Sequence, residues 1–250
     1  MRLLTSLLLS LLSLNAFSTV NVAAPDSARE KTRVAEYHFD AKQLIIPASA
    51  IAVGFAANSI DGMKDFHIIN RRESVKRIRI DDYMEWGMFG WVFVCDLIGK
   101  EKNRWVDQAL LLVVSEAFNA ALVHGGKNLF DEIRPDGGLL SFPSGHTANA
   151  FLGAHLTYKE FRESSALLAY SGYALASFVA ASRVYNNRHW VCDVIAGAGV
   201  GMLSVELAYL VYFPVRNAIA RSINVRENKS LVMAPMVNQY GGGVYLSLNF

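Results

Sequence analysis

Five long apolar stretches dominate the middle of the chain, and their spacing limits the folds that it can adopt. Most of them lack the period-two alternation of a half-buried strand and carry Ala, Leu and Gly scattered around a helix. Helices of this kind bury themselves by packing against one another. The stretches are residues 83–98, 104–124, 146–162, 165–181 and 190–212.

An uncharged run at residues 43–60, interrupted by Pro47 and Gly54, adds to these stretches, and together they predict an all-α bundle of about six core helices. Residues 125–145 are rich in Gly, Pro and Asp and are predicted to be loop. The length of 250 residues allows one large domain or two small ones. We expect a signal peptide at 1–24, a polar segment at 25–43, the helical domain at 44–222 and a tail at 223–250.

The composition narrows the classes of partner. It is 52% hydrophobic and 18% charged, which is apolar for a soluble protein and modest for a protein with many membrane spans. The formal net charge of +2 implies no polyanionic partner, so no nucleic acid is expected. Cys95 and Cys192 lie in apolar surroundings and are interpreted as buried thiols, although the sequence leaves a disulfide between them open.

Residues 1–24 have the pattern of a secretory signal peptide. Arg2 supplies the positive charge, residues 3–14 form a leucine-rich core, and small residues at 16–18 and 22–24 offer cleavage sites. A retained membrane anchor is the alternative, but the core is short for one. The pattern favours export to a bacterial periplasm.

The C-terminal residues follow a different pattern. Residues 232–237 and 244–250 flank three glycines at 241–243, and the second run alternates apolar and polar side chains. This predicts a short β-hairpin. A terminal Phe250 is also typical of outer-membrane barrels, but one hairpin cannot close a barrel, so a packing hairpin is favoured.

A histidine and a carboxylate stand four residues apart near the end of the apolar region, at His189 and Asp193. If the segment is helical, both side chains lie on one face, and the carboxylate can fix the tautomer of the imidazole. Such a histidine is a candidate nucleophile or base. Arg183 adds a planar set of donors suited to phosphate. A structural hydrogen bond between histidine and aspartate explains this pattern equally well.

Two further stretches precede this one. Lys127 is followed by six residues and Arg134-Pro135, and then by Pro143-Ser144-Gly145-His146. In order, the three parts read Lys-x6-Arg-Pro, Pro-Ser-Gly-His and Ser-Arg-x5-His-x3-Asp. This set resembles the signature of the type 2 phosphatidic acid phosphatase (PAP2) superfamily, which includes lipid phosphatases, bacterial class A acid phosphatases and vanadium haloperoxidases. Every fixed position of the signature is present.

The resemblance implies a PAP2-like helical bundle and a role for each motif residue. The phosphoryl group would be bound by Lys127, Arg134, Ser144, Gly145 and Arg183. His189, oriented by Asp193, would attack phosphorus and form a phosphohistidine, and His146 would protonate the leaving oxygen and then activate water. No cofactor and no metal are expected, because no His, Cys or carboxylate set has metal-ligand spacing.

The sequence indicates the type of reaction more clearly than the substrate. The apolar helices and a basic cluster at residues 71–79 would suit a phosphorylated lipid such as phosphatidate, a polyprenyl pyrophosphate or lipid A. Small soluble phosphoesters, vanadate-dependent haloperoxidation and a non-catalytic helical protein remain the alternatives. The sequence leaves the oligomeric state open.

The prediction of how the protein associates with a membrane depends on one acidic residue, Glu206. Residues 164–182 and 43–60 are borderline spans by length. Glu206 lies 13 residues after Asp193, about 20 Å along a helix, so it would fall near the middle of a bilayer if the site were at the surface. This favours a soluble or peripheral bundle, and an integral one requires Glu206 to face another helix.

Overall fold

A computed structural model describes residues 39–60, 79–100, 102–227, 231–238 and 241–248, with side chains up to residue 222. The chain divides into two compact units, Ala35–Ile219 and the combination of Met1–Val34 with Ala220–Phe250. The expected signal peptide, most of the polar segment and Arg71, Arg72, Lys76 and Arg77 of the basic cluster lie outside the described residues.

The described residues form six α-helices and a short 3-10 turn at Ala41–Leu44, which confirms the all-α prediction for this part of the chain. Each of the five apolar stretches coincides with one helix, and the run at 43–60 supplies the first. The helices are α1 Ile45–Asn58, α2 Asp81–Asp96, α3 Trp105–Phe130, α4 Gly145–Phe161, α5 Ala166–Tyr185 and α6 Val191–Glu227.

The loop predicted at 125–145 begins later than expected. Helix α3 runs through Gly125 and Gly126 and ends at Asp131, which adopts a left-handed conformation with φ 36° and ψ 50°. Lys127 therefore lies on the last turn of a helix rather than in a loop, and that part of the prediction was wrong. A pair of glycines weakens a helix without ending it when the helix is held by neighbours.

Helix α4 is the centre of the bundle and packs against α2, α3 and α5. It reaches α6 as well, because the apolar cluster includes Leu152 and Leu156 of α4 with Val205 and Tyr209 of α6. The N-terminal end of α4 carries the Pro-Ser-Gly-His motif. The helix that organises the core therefore also positions one part of the candidate site.

Two glycines allow backbones to approach closely beside α4. A Cβ at Gly153 would lie 2.4 Å from the carbonyl oxygen of Met88 on α2. A Cβ at Gly201 of α6 would lie 2.2 Å from the carbonyl oxygen of Ala148. Both distances are too short for any side chain, so α4 has glycine-lined contacts on two sides.

Glu206 faces α4 and is paired within the bundle. Its carboxylate lies 2.8 Å from Nε2 of His155 and 2.7 Å from Nζ of Lys159, and all three residues are buried. The carboxylate of Glu206 therefore has partners at its depth in the bundle. Its presence does not disfavour an integral membrane protein.

Three helices of the described residues are long and apolar enough to cross a membrane. These are Trp105–Phe130, Ala166–Tyr185 and Val191–Ser222, judged by length and hydropathy. Exposed apolar side chains on the first two include Leu110, Val113, Leu167 and Phe178. Both properties fit a bundle in contact with lipid.

The C-terminal unit contains two strands, β1 Leu231–Asn238 and β2 Gly241–Leu248, which pair antiparallel. The glycines at 241–243 lie at the start of β2, where Gly243 pairs with Met236. The two cysteines, Cys95 and Cys192, are buried free thiols.

Replacing Gly153 tests the close contact between α2 and α4. We expect Gly153→Ala to lower the free energy of unfolding by about 1–3 kcal/mol, because the added methyl group meets backbone that has little room to move. Gly90→Ala is the matched control on α2, where a Cβ has open space, and it should be neutral or stabilising. Thermal unfolding of the full chain measures both, and equal midpoints would contradict the contact.

Candidate active site

His189 and Asp193 lie together at the start of α6. The segment is not helical throughout, because α5 ends at Tyr185 and α6 begins only at Val191. His189 precedes the helix and Asp193 lies in its first turn. The imidazole Nδ1 is 3.4 Å from Oδ2 of Asp193, a long contact, and the two residues are 2% and 0% exposed.

Asp193 connects three parts of the chain. Its Oδ2 accepts hydrogen bonds from the hydroxyl of Ser141 and, at 2.9 Å, from the backbone N–H of Trp190. Its backbone carbonyl accepts the N–H of Ser144 at 3.0 Å. Ser141 was missed by sequence reasoning, since a serine in a turn-rich loop carries no signal of its own.

The imidazole of His189 is neutral at pH 7. Burial, helped by the charges of Arg183 and Arg134, lowers its pKa to about 4 against the opposing effect of Asp193. With Nδ1 directed at the carboxylate, Nε2 keeps its lone pair. A neutral, oriented imidazole of this kind can act as a nucleophile.

The cations of the first motif approach the same centre. Lys127 lies within electrostatic range of Arg134, Arg183 and Asp193, and its Nζ donates to the carbonyl of Leu140 at 2.7 Å. Burial lowers the pKa of Arg134. Its Nε is buried and has no hydrogen-bond partner among the described residues, so it is available to an anion.

Arg183 is held by two carboxylates of α2 that sequence reasoning missed. Its Nη1 donates to Asp81 at 2.9 Å and to Asp82 at 3.2 Å. Arg183 and Asp81 are buried, at 5% and 1% exposure, whereas the Asp82 side chain is 56% exposed. Acids in the first turn of a helix are common because they complement its dipole, so the local pattern did not distinguish these two.

His146 lies on the first turn of α4 and faces the same acidic group. Its Nε2 is 3.2 Å from Oδ1 of Asp82 and 3.2 Å from Oε1 of Glu85. Burial lowers the pKa of His146 to about 4, with a smaller contribution from the positive charge of Arg183. Glu85 is a further residue that the sequence pattern did not reveal.

The preceding residues of this motif start the helix. Ser144 is the residue before α4, but its side chain does not cap the helix; its hydroxyl accepts from Thr147 at 3.0 Å instead. Gly145 begins the helix, whose first N–H groups have no partner within it and favour an anion. Within the described residues, no group of three His, Cys, Asp or Glu side chains forms a metal site.

The motif residues thus converge on one centre from the end of α3, the following loop, the start of α4, the end of α5 and the start of α6. The sequence model of the PAP2 superfamily matches residues 108–216, a segment that contains every motif position. This match agrees with the resemblance predicted from the motifs.

Two curated relatives come from Porphyromonas gingivalis. A lipid A 1-phosphatase is 47% identical over 103 residues, which cover 39% of this chain and 23% of that protein. A lipid A 4'-phosphatase is 32% identical over 81 residues, which cover 32% of this chain and 34% of that protein. The matches thus span about a quarter to a third of the relatives' lengths.

Two solved structures are also similar, each at 19% identity. The crystal structure of Aquifex aeolicus LpxE has a TM-score of 0.42 and covers 52% of this chain and 82% of its own. A transmembrane PAP2-type phosphatidylglycerolphosphate phosphatase from Bacillus subtilis has a TM-score of 0.40 and covers 72% and 96%.

Removing the carboxylate of Asp81 tests how much its buried ion pair with Arg183 contributes to stability. We expect Asp81→Ala to lower the free energy of unfolding by about 3–5 kcal/mol, because it leaves the guanidinium of Arg183 buried without its nearest counter-charge. Asp82→Ala removes an exposed partner and should cost less than about 1 kcal/mol. Chemical unfolding of both variants makes the comparison, and similar losses would argue against a dominant Asp81–Arg183 pair.

Proposed function

We propose that the protein is a PAP2-type phosphatase that hydrolyses phosphate monoesters or pyrophosphates of lipids through a phosphohistidine. The observation that carries the proposal is the buried pair of His189 and Asp193 beside the guanidinium of Arg183. A neutral imidazole oriented by a carboxylate and flanked by cations has what attack on a phosphoryl group requires.

The first half-reaction forms a nitrogen–phosphorus bond. Nε2 of His189 donates its lone pair to phosphorus, the bond from phosphorus to the leaving oxygen breaks, and His146 delivers a proton to that oxygen. Asp193 stabilises the positive charge that develops on the ring of His189. Lys127, Arg134 and Arg183, with Ser144 and the amide of Gly145, balance the charge of the phosphoryl oxygens.

The second half-reaction returns the enzyme to its starting state. A water molecule attacks phosphorus, His146 takes one of its protons, and the nitrogen–phosphorus bond breaks to restore neutral His189. The products are inorganic phosphate and the free alcohol, or a lipid monophosphate when a pyrophosphate is cleaved.

Three observations support a lipid substrate. Both relatives are named as lipid A phosphatases, three helices are long and apolar enough for a membrane, and apolar side chains are exposed on their surface. A membrane-bound enzyme with its site in the periplasm is the setting that this substrate implies. The signal peptide at 1–24, the domain bounds and the packing role of the C-terminal hairpin stay predictions.

Replacing His189 tests the nucleophile. We expect His189→Ala to abolish hydrolysis of every phosphate ester, because it removes the atom that attacks phosphorus, and rapid quench with labelled substrate should trap an acid-labile phosphoenzyme in the wild type alone. Asp193→Asn should lower kcat by roughly 10⁴-fold through loss of imidazole orientation. His124→Ala, an exposed histidine on α3, is the control and should keep full activity. Normal turnover by the His189→Ala variant would contradict the assignment of His189 as the nucleophile.

A comparison of substrates tests the lipid proposal. We expect kcat/KM for a detergent-dispersed lipid phosphate or polyprenyl pyrophosphate to exceed that for a small soluble phosphomonoester, because remote apolar contacts contribute binding energy in the transition state. A preference for the soluble ester would favour a class A-like acid phosphatase instead. Bromide oxidation by peroxide with added vanadate would identify a haloperoxidase.

A further inference from the structure

Glu85 lies between the general acid His146 and a buried row of amides. It is on α2 at 6% exposure, and its Oε1 is 3.2 Å from Nε2 of His146. Asn149 of α4 donates to the other oxygen, Oε2, at 3.3 Å. Both oxygens of this carboxyl group are therefore fixed by α4, one of them by a residue that the proposed reaction uses.

The row of amides continues into α3 and keeps Glu85 in place. The side-chain oxygen of Asn149 accepts from Nδ2 of Asn119 at 2.6 Å, and the same nitrogen is 3.3 Å from Oε2 of Glu116. Contacts of this kind restrict the rotamers of every member. The carboxyl group of Glu85 is therefore positioned by three helices rather than free to turn toward solvent.

The pKa values of His146 and Glu85 indicate that His146 acting alone would be a weak general acid at neutral pH. With a pKa of about 4, only about one imidazole in a thousand is charged at pH 7, so His146 by itself is a poor proton donor. Burial raises the pKa of Glu85 to about 7, against the lowering effect of Arg183. The proton that the pair holds near neutral pH therefore resides mainly on the carboxyl group.

We propose that Glu85 is a positioning residue that supplies the proton that His146 delivers to the leaving oxygen. In this relay the hydrogen on Nδ1 of His146 moves to the leaving oxygen while the hydrogen of the Glu85 carboxyl group moves to Nε2. The alcohol leaves neutral, Glu85 ends as a carboxylate, and His146 changes tautomer without becoming charged. Within the described part of the chain, Nδ1 has no hydrogen-bond partner, so it is available for this role.

The relay rests on the proposed function and has a defined pH dependence. It needs a protonated Glu85, so its contribution is present at low pH and is lost as the pH rises through about 7. Four other charged or titratable groups lie near Glu85 and His146. They are Asp81 and Asp82 on α2, Arg183 on α5 and His189 before α6.

Glu85→Gln tests the relay, since the amide keeps the shape and loses the proton. On an alkyl phosphate at pH 6 we expect kcat/KM to fall about 10²-fold, the lower end of what a general acid contributes. The ratio of wild type to variant should approach one by pH 8.5, where the wild type has also lost the proton. Ionisation of the substrate cancels in this ratio. A purely structural role would give the same ratio at both pH values, and such a result would overturn the proposal.

Two comparisons isolate the proton from the fold. On an aryl phosphate with a good leaving group, both Glu85→Gln and His146→Ala should lose much less activity than on the alkyl ester. Glu163→Gln is an equally conservative change at an exposed residue after the far end of α4, and its ratio should stay near one at both pH values. Equal losses on both substrate classes would overturn the relay.

A spectroscopic measurement separates failure of this inference from failure of the proposed function. In the full chain labelled with 15N-histidine, and assigned against His146→Gln, we expect a neutral ring at pH 6 with its hydrogen on Nδ1. This tautomer preference should be lost in Glu85→Ala, which removes the donor that faces Nε2 and leaves only the carboxylate of Asp82, an acceptor, 3.2 Å from it. A charged ring at pH 6, or an unchanged tautomer in the variant, would overturn the relay whether or not any ester is hydrolysed.

Discussion

The site depends on the buried carboxylate of Asp193 and its hydrogen bonds. This residue orients His189, accepts the hydroxyl of Ser141 and, through its backbone carbonyl, holds the amide of Ser144. A charge removed from water costs several kcal/mol unless such partners compensate it. The loop after α3 and the starts of α4 and α6 must therefore be in place together, so His189 and the helix that carries His146 are both held by Asp193.

Helix α4 carries this arrangement through the rest of the bundle. Its glycine-lined contacts bring α2 and α6 close, and α2 supplies the acids that hold Arg183 and His146. Deeper along the same helix, His155 and Lys159 neutralise Glu206. The contacts of α4 with its neighbours thus both pack the core and position the side chains of the candidate site.

Local pattern was sufficient for the helices and the motif residues, but not for the partners that come from distant parts of the chain. The apolar spacing of each stretch and the three motifs lie within short windows, so they can be read from sequence. Asp81 meets Arg183 across 102 positions, and an acid at the start of a helix looks like an ordinary dipole partner. The placement of Lys127 failed for a related reason, since tertiary contacts carry α3 through two glycines that the local pattern reads as a break.

The pairing of Arg183 with Asp81 and Asp82 means that the phosphate pocket already holds an internal counter-ion. An incoming phosphoryl group meets a guanidinium whose charge is partly balanced, so affinity for the anion is moderated rather than maximal. Under the proposed function, released phosphate would experience the same moderation and would not be retained by a strong excess of positive charge. The acids of α2 would then favour turnover over product retention at a surface rich in anionic headgroups.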